Sequence, residues 1–236
     1  MKVCRIHTEN IGSDLKINSD RHSFRIHSIN SSISEKQLLE KLKSCFPSAR
    51  AINNITTHSQ RVSSLSAAEK MAVNLYSGDS YESLNRKLRS GQSMTPAEQL
   101  LDIGLSKAVA KEPLDVLTKT YRGSRLRDAF GSVAEGEFGV DPAYLSTSRD
   151  PEIACEFAEE HKRSAFSVIF GVSGFDMALV NGDTVEAEVL YPKATPMRVL
   201  LRDVNKGKES RVLEELSVSE TQGHVPALLD ALDLAK

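Results

Sequence analysis

The segment PLDVLTKTYRG, residues 113–123, is where the pattern of this chain changes. Up to it, apolar residues recur at helical spacing; from Leu117 onward they fall into short segments separated by turn residues. Leu117 to Arg122 is therefore expected as the first of a set of strands. Ala143 to Ser146, Ala165 to Val172, Asp183 to Tyr191 and Met197 to Asp203 follow it. Upstream, Ser66-Ala67-Ala68-Glu69 has the form of a capping box opening a helix that carries Met71, Val73 and Leu75. Ser77-Gly78-Asp79 breaks that helix, and Tyr81 to Leu88 sets Leu84 and Leu88 four apart, as an amphipathic helix does. Thr95-Pro96-Ala97-Glu98 combines an N-cap, Pro at the first helical position and Glu at the third, opening a helix towards Val109. One further helix is expected from Asp150-Pro151 through about Lys162. Helices first and strands afterwards predict an α+β fold rather than alternating βαβ units.

Further outward the texture is polar. Residues 1–64 are rich in Ser, Asn and His, with one short helical pattern around Glu35 to Leu42. This stretch is expected to be a partly disordered leader ahead of a domain spanning 65–236. The formal net charge of the 236 residues is -2, with acids and bases interleaved, so a nucleic-acid backbone is not the expected partner. Three cysteines, Cys4, Cys45 and Cys155, are widely spaced and lack His or Cys at ligand spacing, which argues against a disulfide framework and a zinc site. No apolar run reaches the roughly 20 residues of a membrane helix, and the chain is expected to be soluble.

Three strand-associated clusters could carry chemistry. In Tyr121-Arg122-Gly123 the arginine can grip a diphosphate with its planar fork of donors, and the glycine allows close approach to the backbone. The plainer reading is an exposed Arg at a turn. Ser146-Thr147-Ser148 offers a row of hydroxyls able to fix a carboxylate or a sugar hydroxyl, or belongs simply to the cap of the next helix. Glu186-Ala187-Glu188, if extended, points both carboxylates to one face, where they either serve a site or sit in solvent.

The three clusters in this order resemble the R-S-E class of mono-ADP-ribosyltransferases, which includes many bacterial toxins and secreted effectors. In that class an aromatic-Arg-Gly strand is followed by a Ser-Thr-Ser strand and a Glu-x-Glu strand. The resemblance extends to the helical region, where Tyr76 to Arg89 fit Tyr-[Ser/Thr]-Gly-x-x-Tyr-x-x-[Ile/Leu]-Asn-x-x-Leu-Arg throughout. It covers roughly Ser66 to Asp203. It implies a helical N-terminal subdomain followed by a mixed β-sandwich core, and NAD as co-substrate with no metal.

By the same resemblance, Arg122 holds the phosphate and ribose region of NAD, with Gly123 backbone groups offered to the nicotinamide carboxamide. Ser146 orients Glu188, and Glu188 stabilises positive charge on the ribose as nicotinamide leaves. Glu186 meets the acceptor, and an acid there accompanies transfer to arginine; other effectors of this general type modify other residues, a threonine of ubiquitin included. Tyr121, Thr147, Ser148 and Tyr76 join the cofactor side. The turn from about Phe175 to Val185 recognises the target. The loop after Ser148 should supply an aromatic and a basic residue from among Phe157, Arg163 and Phe166, with Arg163 ranked first and the two phenylalanines also fitting a core. A host protein is the implied partner, after secretion into the host cytoplasm. The leader's composition is compatible with an export signal, and its removal up to Ser64 is expected to leave NAD cleavage intact. An NAD glycohydrolase and a non-catalytic module are the competing readings.

Overall fold

The computed structural model describes residues 33–47 and 63–216, apart from 115, 127, 161 and 206. Four helices come first: α1 (Glu35–Cys45), α2 (Ala67–Leu75), α3 (Tyr81–Ser90) and α4 (Pro96–Lys111). Capping boxes start three of them. Ser34, Ser66 and Thr95 each accept a hydrogen bond from the backbone N–H three residues on, while Gln37, Glu69 and Glu98 reach back to the cap's own N–H. Burial alone would raise the Glu98 carboxyl, but hydrogen bonds from Lys87, Ser83 and Thr95 hold it at about 2. The expected break between α2 and α3 is a π-helical turn, Tyr76–Ser80, in which Gly78 leaves helical geometry.

Strands follow: β1 (Thr118–Arg125), β2 (Phe138–Val140), β3 (Leu145–Ser148), β4 (Ser164–Gly171), β5 (Phe175–Asp176), β6 (Glu188–Tyr191), β7 (Pro196–Asn205) and β8 (Lys208–Glu215). Asp150 caps α5 (Pro151–Glu159) after β3, and a single turn, α6 (Ala178–Asn181), separates β5 from β6. The sheet order is β2-β7-β8-β4-β1-β3-β6-β5, with β4 and β8 parallel and every other pair antiparallel. The chain is thus α+β with a mixed sheet. β1 and β3 are joined only at Tyr121–Ser148, and the sheet folds over at this weak seam. Leu145, Val189 and Tyr191 from one half share a core with Ile169, Val199 and Leu213 from the other, which gives the sandwich its interior. The helical layer packs on the smaller half through Tyr144, Phe175 and Leu190.

Four expectations change. The strand expected over Asp183 to Tyr191 begins only at Glu188, because Ala187 adopts a left-handed conformation (φ 44°) that ends the extended run. The segment taken as a turn from Phe175 to Val185 contains β5 and α6. β2 and β8 were not anticipated at all. Within the stretch assigned to a leader, α1 buries Leu38 and Leu42 completely against α2 and α4, so these residues belong to the helical core. The rest of that stretch lies outside the described residues. Among those described, no helix is long and apolar enough to cross a membrane.

Candidate active site

Arg122, Ser146 and Glu188 meet where β1, β3 and β6 lie side by side. Antiparallel pairing sets Ser146 opposite Leu190 and Ser148 opposite Glu188, so Ser146 and Glu188 are diagonal neighbours on one face. The Ser146 hydroxyl donates to Glu188 Oε1 at 2.6 Å, and Arg122 Nη1 donates to the Ser146 carbonyl. One serine therefore links guanidinium and carboxylate. Alternation along β1 turns Arg122 away from α5 and directs Tyr121 and Gly123 towards it. Gly123 is required by that packing: a Cβ there would lie 1.9 Å from the Ala154 carbonyl oxygen and 2.5 Å from the Ala158 nitrogen.

Burial pushes the Glu188 carboxyl above the ordinary glutamate range; Glu186 and Asp183 push the same way, against the hydrogen bond from Ser146 and the charge of Arg122. Burial likewise weakens the hold of Arg122 on its proton, while Asp141 and Asp128 favour the cation and Arg89 opposes it. The Nε of Arg122 is buried with no hydrogen-bond partner among the described residues. A buried donor left unmet is costly unless a ligand completes it. Tyr76 forms the wall beside these groups. It is 1% exposed, accepts a 2.8 Å hydrogen bond from Asn85, and is raised above the usual phenol value first by burial. Its ring packs edge-on against Tyr144 and Tyr81, at centroid separations of 5.7 and 6.2 Å.

The two acids of Glu-Ala-Glu are neighbours, though not through strand alternation. Glu186 is exposed in a loop whose N–H groups at Val185 and Glu186 bond to Asp183, and the left-handed Ala187 carries the chain from it into β6. Ser148 fastens that loop, donating to the Glu186 carbonyl at 2.6 Å and accepting the Asp150 N–H at 2.9 Å. Thr147 is buried and donates to the Val189 carbonyl. Both hydroxyls are thus engaged in holding β3, β6 and the loop in register rather than facing the cleft. Tyr121 packs on Phe166 beneath α5, also off the Arg122 face. Arg163 is exposed at the start of β4, beside Gly207 and the Leu126 backbone, and is not brought to the three central residues. Phe166 is core, as expected, whereas Phe157 is 46% exposed and corrects its core assignment. The expectation missed the partners that α3 brings: Asn85 on Tyr76, and Arg89, which grips Asp141 beside Arg122. The Asn and Arg of the helical pattern were signals for both.

A half-buried carboxylate held by a serine, a guanidinium with unspent donors and a tyrosine wall, set at the seam of a split mixed sheet, define the R-S-E transferase class that the motifs resemble. The chain belongs to the ADP-ribosyltransferase exoenzyme family, whose model matches residues 49–236; α1 precedes that match. It is 46% identical over 173 residues to the ADP-ribosyltransferase toxin AexT of Aeromonas salmonicida, covering 72% of this chain and 36% of that protein. It thus spans little more than a third of that relative's length. It is 30% identical over 151 residues to the putative NAD(+)-arginine ADP-ribosyltransferase Vis of Vibrio splendidus, covering 59% of this chain and 61% of that protein. Among solved structures, exoenzyme S of Pseudomonas aeruginosa, bound to carba-NAD and in complex with human 14-3-3 protein beta, superposes with a TM-score of 0.68 at 39% identity, covering 85% of this chain and 98% of that one.

Proposed function

We propose that this chain is an NAD-dependent mono-ADP-ribosyltransferase that modifies arginine on a host protein, as a secreted effector working in the host cytoplasm. The observation that carries the reading is the Arg122–Ser146–Glu188 connection. The residues fit NAD: the unmet donors of Arg122 suit its diphosphate, and the edge of β1 past Tyr121, which β3 does not cover, offers backbone groups at Gly123 to the carboxamide. NAD supplies the glycosidic bond to nicotinamide and the ADP-ribosyl group to be transferred. The protein's part is electrostatic. Glu188, fixed by Ser146 and half-buried, stabilises positive charge as it develops on the ribose, which favours the transition state over the ground state. Exposed Glu186, beside Glu188, can orient an incoming guanidinium and take its proton. The relative Vis, named for arginine, and the exoenzyme family itself support the acceptor and the secretion.

Incubating the chain with NAD and host-cell lysate, then locating the modified side chain by fragmentation mass spectrometry, tests this directly. ADP-ribose on arginine is expected. ADP-ribose on a different side chain, threonine of ubiquitin included, removes the role given to Glu186. Accumulation of free ADP-ribose alone makes the chain a glycohydrolase, and NAD binding without turnover makes it a non-catalytic module.

A further inference from the structure

The loop that carries Glu186 is built from short local turns, so its place over the sheet is set by what holds it from outside. Asp176 opens it, Oδ1 accepting the Ala178 N–H at 3.1 Å where α6 begins. Asn181 accepts the Asp183 N–H at 2.9 Å, and Asp183 accepts those of Val185 and Glu186 at 2.9 and 3.3 Å. Turns of this kind fix the shape of a segment and not its orientation. Orientation comes from contacts with other elements. The Met177 N–H donates to the Glu188 carbonyl at 3.0 Å, and the Asn181 amide donates to Ser77 Oγ in the π-helical turn at 3.0 Å.

Further holds come from Ser148 and Arg149 at the end of β3. The Ser148 hydroxyl donates to the Glu186 carbonyl at 2.6 Å, and the Arg149 N–H donates to the Ala187 carbonyl at 3.1 Å. The peptide groups on both sides of the left-handed Ala187 are thus gripped by adjacent residues, which is how a backbone conformation unfavourable to a side chain persists. Arg149 adds a second contact. Its Nη1 donates to Asp176 Oδ2 at 2.7 Å, the guanidinium side chain being 41% exposed and that of the aspartate 16%. One residue therefore reaches both ends of the loop, the far end through its backbone and the near end through its side chain. Glu188 does not depend on it: the Ser146 hydroxyl and the pairing of β6 with β3 hold that carboxylate.

We propose that Arg149 is a positioning residue for the acceptor, its ion pair with Asp176 bracing the Glu186 loop so that ADP-ribose passes to a guanidinium rather than to water. The inference rests on the transferase reading and on the role it gives Glu186. In transfer, the bond from the anomeric carbon of the ribose to nicotinamide breaks and nicotinamide keeps the electron pair. A guanidinium nitrogen then bonds to that carbon, and its proton goes to the Glu186 carboxylate. In hydrolysis a water oxygen forms the new bond instead. Both routes break the same bond beside Glu188, so cleavage survives a loosened loop, whereas capture by a guanidinium needs Glu186 held in place. An exposed ion pair adds little to stability, so losing it changes the aim of the loop and leaves the domain folded.

The test gives the full chain NAD and agmatine, a small guanidinium compound, and reads ADP-ribosyl-agmatine against free ADP-ribose. Arg149→Ala is expected to lower the ratio of transfer to hydrolysis about fivefold, the upper end of what an exposed ion pair is worth. Nicotinamide release without agmatine, and KM for NAD, should stay within about twofold of wild type on the same scale. Arg149→Lys keeps a charged donor, so its ratio should lie nearer wild type than that of Arg149→Ala. Asp176→Asn keeps the shape and the acceptor at the start of α6 and should match Arg149→Ala, and the double variant Arg149→Ala/Asp176→Asn should be no worse than the poorer single variant. An unchanged ratio in Arg149→Ala, a lysine variant no better than alanine, equal falls in transfer and hydrolysis, or multiplied losses in the double variant would each overturn the proposal. If Arg149→Ala melts far below wild type, the ratio in Asp176→Asn decides the matter. A wild-type chain that cleaves NAD yet forms no ADP-ribosyl-agmatine overturns the arginine reading as well, so that failure is recognised before any variant is made.

Discussion

At Glu188 burial and hydrogen bonding act in opposite directions, and their balance sets how the proposed activity should respond to pH. Burial comes first and raises the carboxyl, with Glu186 and Asp183 adding to it; Ser146 and Arg122 lower it. The role proposed for Glu188 needs the carboxylate. Activity should therefore fall as pH drops through a value above the unperturbed glutamate pKa of about 4.3, and the acid limb of kcat/KM reports it. Ser146→Ala removes a group that lowers this pKa, so the limb should move further up in pH; a limb that stays or moves down would show that the hydroxyl does not hold the carboxylate. Glu188→Gln keeps shape and removes charge. It should cost on the order of 2.7–4 kcal/mol in the barrier, a loss of about 10²–10³ in nicotinamide release, and a folded variant with near wild-type release would take Glu188 out of the mechanism. At this scale Arg122, Ser146 and Glu188 were legible because each is a distinctive side chain within a short ordered motif. The Arg89–Asp141 pair was not, because nothing local distinguishes a buried partnered aspartate from a solvated one.

The elements show which physical cues a sequence carries and which it conceals. Helix starts at Ser66, Thr95 and Asp150 were legible to the residue, since the capping side chain and the group it satisfies lie within three positions. β8 was not, because KESRVLEE looks like a solvated surface. In the fold Glu209, Arg211, Glu214 and Glu215 are buried, Arg211 bonding to Glu209 and to Asp128, and Glu215 accepting the Val172 and Ser173 N–H groups. Pairing that spans tens of residues decides burial there, and alternation of apolar residues cannot reveal it. The Glu-Ala-Glu run misled for a related reason: Ala187 is left-handed because Ser148 and Arg149 bind the Glu186 and Ala187 carbonyls from another strand. Gly123 was read as room for a ligand, yet it makes room for α5. Gly123→Ala should press its new methyl against the α5 backbone at Ala154 and Ala158, costing roughly 1–3 kcal/mol as overpacking does. Since Arg122 is the adjoining residue, the melting temperature and NAD turnover should fall together. Wild-type values of both would mean that α5 yields without disturbing β1.

Taken as a whole, the molecule is a folded-over sheet with a helical layer covering its smaller half, and the site lies at the seam that both must hold closed. The helices contribute Tyr76, Asn85 and Arg89 to one side of the cleft, and the strands contribute Arg122, Ser146 and Glu188 to the other. Anything that steadies the helical layer therefore steadies half of the site. α1 is such an element, although its polar surroundings in the sequence made it look like part of a leader. Leu38 and Leu42 are fully buried, the Leu42 side chain reaches the α4 backbone at Gly104, and Lys111 of α4 joins Glu35 of α1 to the buried Glu69 of α2. Removing everything up to Ser64 should for this reason destabilise the domain, whereas the sequence alone led to the expectation that NAD cleavage would stay intact. A single substitution isolates the cause. Leu42→Ala opens a cavity between α1, α2 and α4 and should cost about 2–5 kcal/mol, which at about 2–4 °C per kcal/mol for a domain of this size lowers the melting temperature by roughly 4–20 °C. Because Leu42 touches no group of the cleft, kcat/KM measured well below the new melting point should remain close to wild type. A melting temperature within a degree of wild type would show that α1 contributes nothing to the stability of the helical layer.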